Sequence, residues 1–538
     1  MAIFPNVNEV NLLKREEEKI RDYLSENLGF IDNSLKLIKK EFKLENEYGS
    51  RGFIDILAKD NYNNFVVIEI KKSNQAARQA IHEIMKYVAL LKHNYKTKDS
   101  EIRVLIISTK WEELLIPFSE LILQAPYFIE GYKIDVDINY IPIIKTKIVP
   151  VENPYPRNFS RYHIGFFCED HVILEQLTTT IQIVMSRRDI DNYILIEMET
   201  NSPKYPNPHA IYLVMVSYLK ERYWEILNSL DENDEESVSV EEIREYIENS
   251  EDMIDDSELY YLETGVLSQI VSDILRSHSS KGYFIENGSP EGFSSSLENW
   301  NITRIHKFGF IKEDLRLEDE YIKKEVMGLK GRSRHLFHDF CETKHKAKLK
   351  EIKDSLKYCL FFNKIWGEDI ENIFSKYENE NVLISLFIYN PPNILEILYT
   401  AIHTQGGTLP YYEMVVDFID SDIPFTIIYS GGICWDGDQG DFREIVNKFF
   451  YKDEFNILMH MTMHSIEEMN ASIMQELGLR YITQQVKIDN NKIKEQSQFG
   501  SSKIGKGISE FYCQNQGFVA DLISFFDRYT NLADNYKK

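Results

Sequence analysis

Apolar positions along the first 145 residues change period several times, and each change predicts an element. In residues 11–28 (NLLKREEEKIRDYLSENL), Leu12, Leu13, Ile20, Leu24 and Leu28 recur on one side of a helix. The period then shortens. Leu35–Lys43, Gly52–Lys59 (GFIDILAK) and Phe65–Lys71 (FVVIEIK) read as strands, the last two separated by the turn-rich Asp60–Asn64. Gln75–Lys92 reads as a helix, Arg103–Ser108 (RVLIIS) as a buried strand and Trp111–Leu123 as a helix. Tyr132–Ile141 reads as a closing strand, with Pro142 as its stop. The order α-β-β-β-α-β-α-β makes a small α/β domain.

Pro150, Pro154 and Pro156 mark a linker after it. Residues 160–330 are mixed with a helix-rich centre, and Asp231–Glu258 is strongly acidic, as a solvated helical face or a connector would be. Residues 278–300, rich in Ser, Gly and Asn, read as a loop. The remainder alternates helical and strand-like runs, and no internal repeat is present. The expectation is an α/β protein in three parts: an N-terminal mixed sheet flanked by helices (1–148), a mixed helical middle region (149–330) and a C-terminal α/β domain (331–538).

Composition narrows the class. The chain has 538 residues, too many for one core, and 43% of them are hydrophobic and 13% aromatic, enough for globular packing. Cys168, Cys341, Cys359, Cys434 and Cys513 are scattered and form no CxxC pair. This argues against a disulfide framework or a zinc ribbon and for a reducing cytosol. The N-terminus lacks the basic flank and apolar run of a secretory signal, and no stretch reaches ~18 apolar residues. The expected location is the cytoplasm, with no membrane segment. The net charge of −25 argues against a protein that coats nucleic acid non-specifically. It does not exclude a nuclease that gathers its basic groups in one cleft, with access restricted by regulation or a partner.

Candidate chemistry lies on two of the strands. Side chains alternate faces along a strand, so Glu69 and Lys71 of FVVIEIK point one way, after Val67, and Val66, Ile68 and Ile70 the other. Asp55 stands between Ile54 and Ile56 and is expected on the face opposite them. A charge in the middle of an apolar strand is costly to bury without a partner or a metal. A hairpin through the 60–64 turn brings Asp55 beside Glu69 and Lys71. Two carboxylates, with the Ile70 carbonyl as a further ligand, suit Mg²⁺ or Mn²⁺. Such an ion acidifies water and offsets charge on an attacked phosphate, and Lys71 would orient that water or stabilise developing charge. A lone Glu-x-Lys recurs roughly two or three times by chance in a chain of this length. The weight comes from the acid in the preceding strand, the short turn and the following helix.

The string GSRGFIDILAKDNYNNFVVIEIKKSNQAARQAIHEIMKYVALL resembles the catalytic core of PD-(D/E)xK nucleases, the NucS-like endonuclease branch in particular. Gly52, Phe53, Ile54 and Asp55 match its G-x-I-D strand, and Glu69, Ile70 and Lys71 its E-x-K strand. The resemblance implies a restriction-endonuclease-like sheet and a helix carrying a Gln-x-x-x-Tyr pair. Tyr87 is present, but Glu83 stands where the family usually has Gln. Gln79, Glu83 and Tyr87 share one helical stripe. The resemblance also implies a glutamate in the first helix; Glu16, Glu17 and Glu18 compete for it, and Glu17 shares a face with Ile20 and Leu24. About a quarter of the chain is covered, and the family's separate DNA-binding domain is not.

Three other runs carry weaker signals. Residues 323–350 are locally basic (Lys330, Arg332, Arg334, Lys344, Lys346, Lys348) and read as a solvated helix before a surface that tracks phosphates. His460 and His464 are four apart, without the glutamate of HExxH. Thr404–Phe450 resembles the latter half of some type II restriction endonucleases: a glycine turn, an "IPF" strand and a G-x-x-W loop. The strands expected before it, VLISLFIY and ILYTAIHTQ, lack the carboxylate and lysine. The leading expectation is a Mg²⁺- or Mn²⁺-dependent endonuclease acting on DNA, in restriction or phage defence. Nucleic acid is its partner, DNA before RNA, and a second copy or another protein a further one. An RNase, or a non-catalytic scaffold on a decayed nuclease fold, are the alternatives.

Overall fold

The strand FVVIEIK is apolar on both faces except at its end, which suits a central strand with helices on either side. The computed structural model places it so. It describes residues 7–72, 74–151, 157–228, 240–249, 257–278, 281–404, 406–418, 425–462, 465–489, 492–500 and 502–536, with the backbone alone for 7–15, 74–78, 249, 257, 462, 489, 492 and 530–536. The side chains of Leu12 and Leu13 therefore lie outside the described residues. The chain divides into two compact units, Met1–Pro156 and Arg157–Lys538.

The first unit runs α1 (Val7–Glu26), β1 (Lys36–Leu44), β2 (Gly52–Lys59), β3 (Phe65–Lys71), α2 (Asn74–Tyr95), β4 (Ile102–Ser108), α3 (Leu115–Gln124), β5 (Phe128–Val136) and β6 (Pro142–Lys147). The strands form one sheet in sequential order. β1, β2 and β3 are antiparallel, β3, β4 and β5 parallel, and β6 antiparallel to β5. Each face has its own core. Ile20 and Leu24 of α1 pack with Ile56, Val66, Ile68, Ile70 and Leu105 on one side. On the other, Ile84, Val88 and Leu91 of α2 pack with Ile54, Leu57, Val67 and Val104. Fully burying each such side chain contributes roughly 1.5–3 kcal/mol. The hairpin joining β2 to β3 is fixed by Asp60, whose carboxylate accepts the Tyr62 and Asn64 N–H groups, while Asn63 takes a left-handed φ of 67°.

Two expectations fail here. Tyr132–Ile141 is not one strand, and Pro142 does not stop it. The chain turns at residues 137–141, where Asp137 accepts N–H groups of Asn139 and Ile141, and Pro142 opens β6. A proline is tolerated there because β6 is an edge strand and Pro142 its first residue. Strict alternation also breaks at Asp55. Ile54 joins the α2-side core and Ile56 the α1-side core, so Asp55 is not opposite both.

The second unit carries two further sheets, so the whole is α/β. The first has β7 (Phe159–Cys168), β8 (Tyr193–Glu199), β9 (His209–Val216), β10 (Tyr283–Gly288) and β11 (Asn301–Lys307), in the order β10-β7-β9-β8-β11. Residues 278–300 are therefore not a loop. They supply edge strand β10 and a short helix, Pro290–Ser296, that Ser289 caps with Pro290 in its first turn. Most of Asp231–Glu258 lies outside the described residues.

The second sheet runs β12 (Leu336–Glu342), β13 (Val382–Tyr389), β14 (Tyr411–Phe418), β15 (Phe425–Trp435), β16 (Leu479–Asp489) and β17 (Lys492–Phe499), all sequential and antiparallel. It lacks the mixed order of the N-terminal sheet, which removes the topological basis for a second nuclease-like fold over Thr404–Phe450. The G-x-x-W run lies inside β15 rather than in a loop, Gly431 letting the Tyr412 ring approach, and ILYTAIHTQ is helical from Ile394 to His403. Residues 323–350 are not a solvated helix either; they end one helix, form β12 and begin another. Most of their cations are engaged internally. Lys330 and Lys348 both clamp Asp339, Arg332 donates to the Phe159 carbonyl and Ser217, and Arg334 pairs with Glu467. His460 meets Ser465 at 2.7 Å, and His464 lies outside the described residues. Among the described residues no helix is long and apolar enough to cross a membrane.

Candidate active site

The β2–β3 ladder runs from Lys59 opposite Phe65 to Ile56 opposite Ile68, and stops. The next pair would be Asp55 and Glu69. Instead the strands part, and the Asp55 side chain replaces a ladder bond: its Oδ2 accepts the Ile70 N–H at 2.9 Å. The start of β2 also makes a close approach. Gly52 lies against the Tyr87 ring of α2, and a Cβ there would stand 3.1 Å from it.

Within the opening, Lys71 Nζ lies 2.7 Å from Glu69 Oε1 and 2.6 Å from Glu83 Oε2. Glu69 is 1% exposed. Its second oxygen, Oε2, is buried with no hydrogen-bond partner. Burial, then the neighbouring Asp55 charge, pushes the Glu69 carboxyl well above its ordinary range. Asp55 is raised too, by burial, with Lys71, the Ile70 N–H and Arg21 opposing. Burial lowers the Lys71 ammonium, but Glu69 and Glu83 outweigh it, and the group sits above the ordinary lysine range. The two carboxylates thus favour the charged, proton-donating form of Lys71. The Tyr87 phenol is raised by burial and by the Glu69 and Glu83 charges, which places it in the same field.

Helix α1 closes the other side. Of the three adjacent glutamates, Glu17 faces the site: its Oε1 accepts the Lys72 N–H at 2.9 Å, and its carboxyl is raised by burial and by Asp55 and Glu83. Glu16 turns instead to Lys72 Nζ and the Tyr140 hydroxyl, and Lys72 also lies over the Tyr140 ring at 4.2 Å. Gln79 is exposed. Sequence reasoning missed three members. Arg21 follows Glu17 by one helical turn and could have been read from that spacing. Lys72 hid behind Lys71, and Tyr140, 124 residues from Glu16, carried no local signal.

These groups fit a divalent cation. An orphaned buried carboxylate oxygen is costly, and a hard cation satisfies it. Among the described residues no three His, Cys, Asp or Glu side chains form a ready cage. The fit is to an ion that takes one or two carboxylates, a carbonyl such as that of Ile70, and otherwise water or phosphate, the habit of Mg²⁺.

A mixed sheet whose central strands part around Asp55, Glu69 and Lys71 gathers two acids and an amine in one opening, and the similarity to known proteins falls on the same region. Residues 16–113 match the family described as the endonuclease NucS C-terminal domain. The chain is 28% identical over 142 residues to Endonuclease NucS of Methanocaldococcus jannaschii, across 26% of this chain. It spans about half (49%) of that relative's length. The N-terminal unit is thus related to NucS-like nucleases. No solved structure matches the chain.

Proposed function

We propose that the N-terminal unit is a Mg²⁺- or Mn²⁺-dependent endonuclease that hydrolyses DNA phosphodiester bonds. The observation that carries this reading is the parted β2–β3 ladder, with Glu69 Oε2 unpartnered beside Asp55 and a protonated Lys71. Asp55, Glu69 and the Ile70 carbonyl would hold the ion. When bound, it supplies charge for the attacked phosphate and acidifies water. Lys71, fixed between two carboxylates, donates and does not accept a proton; it orients the attacking water and stabilises developing negative charge. Glu83 holds the Lys71 ammonium in place, Glu17 adds a carboxylate from α1, and Tyr87 closes the wall beside Gly52. The relative's name, an endonuclease, supports cleavage within a strand, and DNA is the favoured substrate. The long second unit supports a restriction or phage-defence effector, in which Arg157–Lys538 serves recognition or regulation.

The test is cleavage of plasmid DNA and of RNA by the full chain with Mg²⁺, alongside Glu69→Ala and Lys71→Ala. DNA cleavage lost in both variants, with the fold intact, supports the reading. Cleavage of RNA alone changes the substrate. Cleavage that survives in both variants removes the site.

A further inference from the structure

Arg21 is a half-buried cation whose guanidinium is incompletely satisfied. Its side chain is 14% exposed, and its Nε is buried with no hydrogen-bond partner. Nη1 lies 3.0 Å from Glu41 Oε1 but 3.7 Å from Asp55 Oδ1, beyond hydrogen-bond reach, and Nε is 3.8 Å from Asp22 Oδ1. A guanidinium has five N–H donors in a rigid fork, and leaving the buried Nε unmet is costly. The surroundings explain why it stays so. Glu41 has a left-handed φ of 47° and sits between the ladder pairs Lys40–Ile56 and Phe42–Ile54, opposite Asp55. It offers Arg21 one carboxylate from a half-exposed position.

We infer that Arg21 is a phosphate-binding residue of the nuclease site. Its guanidinium receives non-bridging oxygens of the nucleic-acid backbone beside Asp55, and Glu41 holds Nη1 when substrate is absent. The inference rests on the nuclease reading. Planar bidentate recognition of phosphate is the chemistry an under-occupied guanidinium serves best. No displacement of Asp55 is needed, because its Oδ2 stays on the Ile70 N–H while Oδ1 faces Arg21.

The test uses the full chain in a Lys71→Ala background with Mg²⁺. Binding of fluorescent duplex and single-stranded oligonucleotides is measured from about 50 to 200 mM salt. Adding Arg21→Gln should weaken binding about tenfold. It should also flatten the slope of log affinity against log salt by about 0.9 for duplex or 0.7 for single strand. Arg21→Lys should keep the slope, and Glu41→Gln should tighten binding by freeing the fork. Thermal denaturation and Mn²⁺ binding of each variant separate a folding defect from a contact. An unchanged slope in Arg21→Gln, or no gain in Glu41→Gln, overturns the inference, while cleavage by the Lys71-intact protein keeps the nuclease reading standing. If the Lys71-intact protein neither binds nor cleaves nucleic acid, both fall.

Discussion

Two buried acids, one in each unit, have opposite surroundings. Asp339 on β12 is 5% exposed, and Lys330, Lys348 and the Phe340 N–H all donate to it. Burial raises its carboxyl, but these partners outweigh it and hold it below the ordinary range. Glu69 on β3 is buried as deeply, shares its lysine with Glu83, and keeps one oxygen unmet. A balanced buried charge specifies structure. An unbalanced one is tolerated where a ligand completes it, at some cost to stability. Overall charge divides along the same line. Met1–Pro156 holds 22 Lys and Arg against 23 Asp and Glu, whereas Arg157–Lys538 holds 39 against 63. The long-range repulsion of phosphate thus originates in the second unit, and the nuclease-like unit is nearly neutral.

Activity should separate the two acids most clearly. Glu69→Ala or Lys71→Ala should lower DNA cleavage at least ~10²-fold, measured with fold-checked protein. Asp339→Ala should leave the cleavage rate of folded protein unchanged. Stability should then show the reverse. Asp339→Ala leaves Lys330 and Lys348 facing a buried gap and should cost about 2 kcal/mol in denaturant titration, below the fully buried case because both lysines keep solvent access.

Glu69→Gln should instead stabilise the metal-free protein by about 1 kcal/mol at neutral pH. The sign follows from the raised carboxyl. The folded state binds that proton more tightly than the unfolded chain, so the cost is present above the folded pKa and fades as pH falls through it. The gain from Glu69→Gln should therefore shrink towards acid, as denaturation at several pH values would reveal. The smallest effect sharpens the turn. Asp60→Ala frees two N–H groups of the β2–β3 hairpin and should cost about 1 kcal/mol, with a modest drop in activity.

Much of the N-terminal sheet was legible, because Val66, Ile68 and Ile70 against Val67 and Glu69 carry an unmixed period. The acids and Lys71 were legible as charges standing where apolar residues belong. What could not be read was geometry created by contact. The approach of Gly52 to Tyr87 and the fixing of Glu16 on Tyr140 join positions far apart in sequence. In the second unit, β10 was hidden because its apolar run, Tyr283–Ile285, is short and set among Ser, Gly and Asn. The cations of 323–350 looked like a surface because their partners Asp339 and Glu467 lie on other turns of the chain or far along it.

Mn²⁺ titration of the full chain by calorimetry, wild type beside Glu69→Ala and Asp339→Asn, measures the imbalance itself. The expected result is a bound ion that Glu69→Ala abolishes and Asp339→Asn leaves in place. Equal Mn²⁺ binding in wild type and Glu69→Ala would contradict it.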